Sequence, residues 1–287
     1  MIGLAPALDR LYTDYNREDS ASDPVHRVRP FVSGADREIA GFCAAALAFG
    51  RVGSVLNSID TLFRIMGPHP AEYVRRFDPG APHPELRAMV HRWTTGRDIA
   101  ALLWILRQML EEGGSIEAFF AGGLPEDDED VGPALDRFCA RALAMDVRPV
   151  YGRRPARPGV CYFFPRPSAG SACKRLNLFL RWMVRRDAVD LGVWTRVPAS
   201  KLIVPLDTHV IRLGRCLGLT RYASPGWKMA ADITASLRAL DPADPVRFDF
   251  AICHVGMMNA CGFGRRQGDA QCPLKGLCRP RRRRRAR

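Results

Sequence analysis

Long apolar runs are missing from this chain. Ile99 to Leu106, as long as any, is eight residues closed by Asp98 and Arg107, far below the roughly 18 that a membrane-spanning helix needs. No transmembrane segment or membrane partner is therefore expected. The chain also lacks a basic start followed by an apolar stretch of signal-peptide length, so the reading expects the reducing cytoplasm. Nine cysteines there read as thiols or metal ligands, not as a disulfide framework. Acidic residues are scarce beside basic ones, 30 against 43, which leaves a net charge of +13. Seven of the positive charges lie in the tail Arg279 to Arg287, and the remainder without them is still +6. A basic body as well as a basic tail points to a polyanionic partner. A block of like charges alone is more often a solvated end that adds non-specific affinity.

What is present is helical period. In Ala35 to Phe49 the apolar positions Ile39, Phe42, Cys43, Ala46 and Leu47 recur at three and four, and Gly50 closes the run. Val52, Val55, Leu56, Ile59, Leu62 and Phe63 form the next apolar face, which Gly67-Pro68 stops. Similar runs cover 84–93, 98–110, 131–145, 171–184, 208–217, 227–240 and 246–259. Only Val160 to Phe164 looks strand-like, and Pro158 and Pro165 confine it to a loop or an isolated extended piece. Acidic Glu126 to Asp130 reads as a solvated loop. The fold class that follows is all-α.

Asp207 stands in Leu206-Asp207-Thr208-His209-Val210-Ile211-Arg212-Leu213-Gly214. On its own this is a helix start with Asp207 as N-cap. The same words resemble the catalytic-aspartate segment of the helix-hairpin-helix DNA glycosylases, the superfamily of endonuclease III. Phe248-Asp249-Phe250-Ala251-Ile252-Cys253-His254-Val255-Gly256, followed by Cys261, is similar to the helix that leads into their iron–sulfur loop. Glu38 to Val55 is similar to the opening of their six-helix lobe. Gly170 to Asn177 with Arg181 to Arg186 most resembles an uncharacterised bacterial branch of these proteins, and the long connection to Asp207 is also found in archaeal 8-oxoguanine glycosylases.

The resemblance implies a two-lobed fold: 1–45 packing on the C-terminal lobe, 46–173 as a six-helix lobe, 174–278 carrying the aspartate and a cysteine-rich metal loop, and 279–287 as a basic tail. It implies a monomer near the nucleoid that acts on double-stranded DNA containing a damaged base, an oxidised purine among the candidates. Lys174 takes the place of the Schiff-base lysine and Asp207 that of the charge-stabilising carboxylate, which allows strand cleavage by AP lyase chemistry as well. Gly170, Ser171 and Arg175 occupy the phosphate-binding hairpin, with Ala172 where a second glycine is usual. Arg51 sits at the turn that inserts a side chain into DNA, and His209 has a structural or phosphate-facing place. The other role open to Lys174 is a phosphate-binding cation in a non-catalytic protein that recognises damaged or distorted DNA. For the base pocket, Phe163 and Phe164 are the expected stacking pair.

Cys253, Cys261, Cys272 and Cys278 are spaced C-x7-C-x10-C-x5-C. Thiolates clustered in this way signal a metal. The last three fall on superfamily ligand positions with one residue inserted, which implies a [4Fe–4S] cluster, with zinc as the alternative. Cys253 can complete the set only if the helix breaks near Gly256.

Overall fold

The computed structural model describes residues 3–18, 23–152, 158–257 and 272–278. The helices are α1 (Leu4–Tyr15), α2 (Val25–Val28), α3 (Gly34–Leu47), α4 (Val52–Met66), α5 (Pro70–Arg75) and α6 (Pro84–Ala88). A small antiparallel hairpin, β1 (Val90–His91) and β2 (Thr94–Thr95), precedes α7 (Gly96–Gly113), α8 (Ile116–Ala121), α9 (Gly132–Ala144) and α10 (Arg148–Tyr151). The last four are α11 (Lys174–Val184), α12 (Thr208–Cys216), α13 (Trp227–Arg238) and α14 (Asp249–Met257). With 59% helix and 2% strand, the fold is all-α. Among the described residues no helix is long and apolar enough to cross a membrane.

Side-chain caps explain where several helices begin. Ser33 accepts the Asp36 amide at the start of α3, and Thr95 with Asp98 forms a reciprocal capping box on α7. Ala-rich α3 is buried along most of its length and packs on α4, α5 and α11. Its buried Glu38 accepts the amides of Ile116 and Glu117 and the indole N–H of Trp194, so one carboxylate caps α8 and ties it to α3. Burial raises the Glu38 pKa against those bonds. On α11, Leu176, Phe179, Leu180, Trp182 and Met183 are all buried, each stabilising the fold by about 1.5–3 kcal/mol.

Opposite the apolar side of α11 runs a buried ionic network. Arg181 meets Asp190 at 3.1 Å and Asp249 at 2.5 Å, while Arg185 reaches Asp187, Asp190 and Asp244. The network joins α11 to the segment after it and to α14. Losing one partner from such a network leaves a buried charge uncompensated, at a cost of about 3–5 kcal/mol.

Two local expectations are corrected. The helical run expected over 84–93 ends at Ala88, because His91 turns inward to bond Phe49 O and Ser58 while Arg92 takes a left-handed φ of 59° between the two strands. Of the two forms open to Val160 to Phe164 the chain takes the loop, with Gly159–Phe163 a 3-10 turn that buries Val160, Phe163 and Phe164. Phe164 packs on Phe42 and Phe138 in the core, so the expected stacking pair is structural.

Candidate functional site

A cleft of about 760 Å³ opens between the end of α3, the segment around Tyr162, one face of α11, the start of α12 and the length of α14. Lys174 and Asp207 both line it. Each is placed by a helix start: Lys174 is the first residue of α11 and Asp207 is the N-cap of α12. Lys174 is half-buried, and its Nζ donates to the Ala48 carbonyl at 3.3 Å. Lys201, the other lysine near Asp207 in sequence, donates instead to Pro125 O and Glu126 O.

Asp207 is delivered by the buried apolar stretch Leu202, Ile203, Val204 and Leu206, anchored where Val204 N donates to Thr234 Oγ1 on α13. Its Oδ1 accepts the amides of His209 and Val210 at 2.8 and 2.7 Å. Its Oδ2 accepts the Cys253 thiol at 2.9 Å. Burial, reinforced by the Asp207 carboxylate, raises the Cys253 pKa far above the ordinary thiol range, so this sulfur is a neutral donor. His209 also lines the cleft, and a Cβ at Gly256 would lie 2.6 Å from its Cβ. Gly256 therefore makes room for the imidazole, and α14 continues unbroken through it to Met257. The break that would let Cys253 join the cysteine loop is therefore not seen as far as Met257, and residues 258–271 lie outside the described residues. Cys253 itself faces Asp207.

The hairpin before α11 is Pro167–Ala169 as a 3-10 turn, Gly170 at φ 81°, Ser171, Ala172, and Cys173 at φ 49°. Gly170 supplies the left-handed conformation that a side chain resists. Ser171 Oγ accepts the Cys173 amide, and Ser171 to Lys174 all face the cleft while Gly170 does not line it. Arg175 differs from the expected phosphate contact. It is buried, its guanidinium donates to Ala46 O at 2.8 Å and to Tyr162 O, and it lies 3.9 Å over the Tyr162 ring. Burial lowers its pKa to about 10, which keeps it charged at neutral pH. Arg51 is exposed at the N-cap of α4, between cleft residues Gly50 and Val52.

Of the expected metal ligands, Cys272 is buried and Cys278 half-buried, while Cys261 lies outside the described residues, as does the tail from Arg279. Among the described residues no three Cys, His, Asp or Glu side chains gather as a metal site. Cys43, Cys139 and Cys173 are buried, with thiol pKa values pushed up, as befits small apolar side chains.

Residues that sequence reasoning missed also line the cleft. Tyr162 and Phe49, 5.0 Å apart in edge contact, form an aromatic wall that continues to Trp93. Arg181 and Asp249 form its polar part. The spacing Lys174, Leu178, Arg181 at i, i+4, i+7 was the available signal that all three share a helix face. Comparisons with curated proteins and with solved structures found no match. A family model described as a protein of unknown function (DUF2400) matches residues 23–258, and the chain belongs to that family.

Proposed function

We propose that the chain is a DNA glycosylase that removes a damaged base from double-stranded DNA, with Lys174 as nucleophile and Asp207 as charge stabiliser. The observation that carries this reading is the convergence of Lys174 and Asp207, from two helix starts 33 residues apart, on one aromatic-walled cleft. The uncharged Lys174 amine attacks the anomeric carbon, the bond to the base breaks, and the base leaves with that electron pair and takes up a proton. The Asp207 carboxylate stabilises positive charge developing on the sugar. Loss of the amine proton and opening of the sugar ring give an iminium, from which elimination of the 3′-phosphate provides AP lyase activity. An oxidised purine is the leading substrate, and the two-lobed arrangement, the monomeric state and nucleoid association belong to the same reading.

The resemblance also implies a [4Fe–4S] cluster. Its expected ligands are Cys253, which here donates to Asp207, Cys261, which lies outside the described residues, and Cys272 and Cys278; no catalytic step depends on the cluster.

Borohydride trapping on duplexes carrying a panel of lesions tests the assignment. Wild-type protein is expected to give a covalent adduct with at least one lesion, and Lys174→Gln to lose the adduct while still binding. Lesion binding with neither excision nor adduct in the wild type would replace the enzyme by the non-catalytic binder, with Lys174 as a phosphate contact.

A further inference from the structure

The cleft holds a second polar feature that Lys174 and Asp207 do not use. Arg181 and Asp249 both line it, and they are only 2% and 3% exposed. Arg181 Nη1 donates to Asp249 Oδ2 at 2.5 Å and its Nε to Asp190 Oδ1 at 3.1 Å. That leaves one nitrogen and one oxygen of the ion pair, Arg181 Nη2 and Asp249 Oδ1, buried without a hydrogen-bond partner in the protein. Buried polar atoms are nearly always paired, because an unpaired one costs about 1–3 kcal/mol. Here a spare donor and a spare acceptor belong to two bonded side chains on the wall of one cleft.

The placement suits a flat ligand. Arg181 follows Lys174 by seven residues on the same face of α11, about 10 Å along the helix axis. A lysine reaching a sugar at one end thus leaves room for a base to extend toward the ion pair at the other. Tyr162 and Phe49 wall the cleft beside Arg175, and the Phe250 ring, also in the cleft, lies 5.6 Å from the Arg181 guanidinium. Burial opposes the Arg181 charge, but Asp190 and Asp249 hold the guanidinium ionised, so Nη2 can only donate. Burial and the Asp207 charge raise the Asp249 pKa to about 6 against Arg181, so above that pH its Oδ1 can only accept.

We propose that Arg181 and Asp249 form a base-reading subsite that takes the unsubstituted hydrogen-bonding edge of an extruded nucleobase, Nη2 donating to its acceptor and Oδ1 accepting from its neighbouring N–H. This rests on the glycosylase reading of the cleft and narrows its substrate class. Bases alkylated on that edge are refused, because the methyl group removes the N–H and leaves Oδ1 unpaired. The lesion must lie elsewhere on the base.

The test uses the full chain at pH 8 and bases whose glycosidic nitrogen carries a methyl group in place of the sugar. Binding of 1-methyluracil and 1,3-dimethyluracil, and of 9-methylguanine and 1,9-dimethylguanine, is followed by saturation-transfer NMR. The singly methylated base of each pair is expected to bind at least tenfold more tightly. Asp249→Asn should reduce that preference at least fivefold, and the wild-type comparison stands by itself if the variant does not fold. Equal binding within both pairs, or no binding of any base by folded protein, overturns the subsite. Excision of edge-methylated and unmethylated lesions at equal rates would also remove it while leaving the glycosylase intact. Base discrimination by a chain that excises nothing would keep the subsite and remove the glycosylase.

Discussion

Replacing Asp207 by asparagine and by alanine separates the two roles this residue can hold. Its Oδ1 accepts two amides at the start of α12. Asparagine is as good an N-cap as aspartate, so Asp207→Asn should leave the melting temperature within about 1 °C of wild type. Alanine removes both bonds, costing about 1 kcal/mol and so about 2–4 °C for a chain of this size. The chemistry should behave differently. Either substitution removes the carboxylate that faces the developing sugar cation, and loss of one preorganised stabilising group typically lowers the rate by about 10²–10³, or roughly 3–4 kcal/mol. Single-turnover excision on a lesion duplex, beside calorimetry of both variants, reads the two effects separately. DNA affinity of Asp207→Asn should be equal or higher, since a negative charge facing a polyanion is gone. An Asp207→Asn protein excising within threefold of wild type would show that Asp207 is a cap and nothing more. If its melting temperature drops as far as that of the alanine variant, the capping argument fails.

Three further outcomes are expected. Iron and sulfide analysis of anaerobically purified protein should find a [4Fe–4S] cluster, lost on Cys272→Ala; zinc without sulfide would replace it, and a metal-free protein would remove both. Deleting 279–287 should weaken binding to all DNA alike and reduce the slope of log affinity against log salt by at most about six, given seven arginines; collapse of lesion discrimination would show that the tail reads DNA. Burial raises Asp190 and Asp249 from 3.8 to about 6, so between about pH 4 and 6 the folded chain binds more protons than the unfolded one, and urea unfolding should show stability falling as pH rises through that window. The Asp249→Asn protein should show a shallower fall, and a rise in wild-type stability across the same window would contradict the burial argument.

The long helices were legible because their apolar positions repeat with period 3.6 and clear caps or glycines bound them. Gly67 closes α4 at φ 68°, where the Gly67-Pro68 stop is read in the sequence. What was not legible depends on contacts distant in sequence. Met89 and Trp93 continue a helical pattern beyond α6, yet His91 is drawn to Phe49 O, 42 residues away, and the chain forms a hairpin instead. The apolar Val160 to Phe164 run carries no period that separates a strand from a 3-10 turn. Only the core around Phe42 and Phe138 determines that Phe163 and Phe164 point inward and Tyr162 lines the cleft.

Cys253 shows why a site is harder to read than a fold. In the sequence it is the first of four C-terminal cysteines, and its spacing admits a metal ligand if α14 breaks at Gly256. The structure gives Gly256 another reason to lack a side chain, because the His209 ring occupies that space. With the helix intact, Asp249 and Cys253 stand one turn apart and line the same cleft, one beside Arg181 and the other against Asp207. Spacing alone cannot distinguish these outcomes, since both need a cysteine at 253 and a glycine at 256. The deciding quantity is the phase of α14 against α12, set by the close approach of His209 to Gly256. Substituting Gly256 by alanine should therefore disturb Asp207 before it disturbs any cysteine loop: a Cβ there pushes His209, whose amide is one of the two that hold the Asp207 carboxylate.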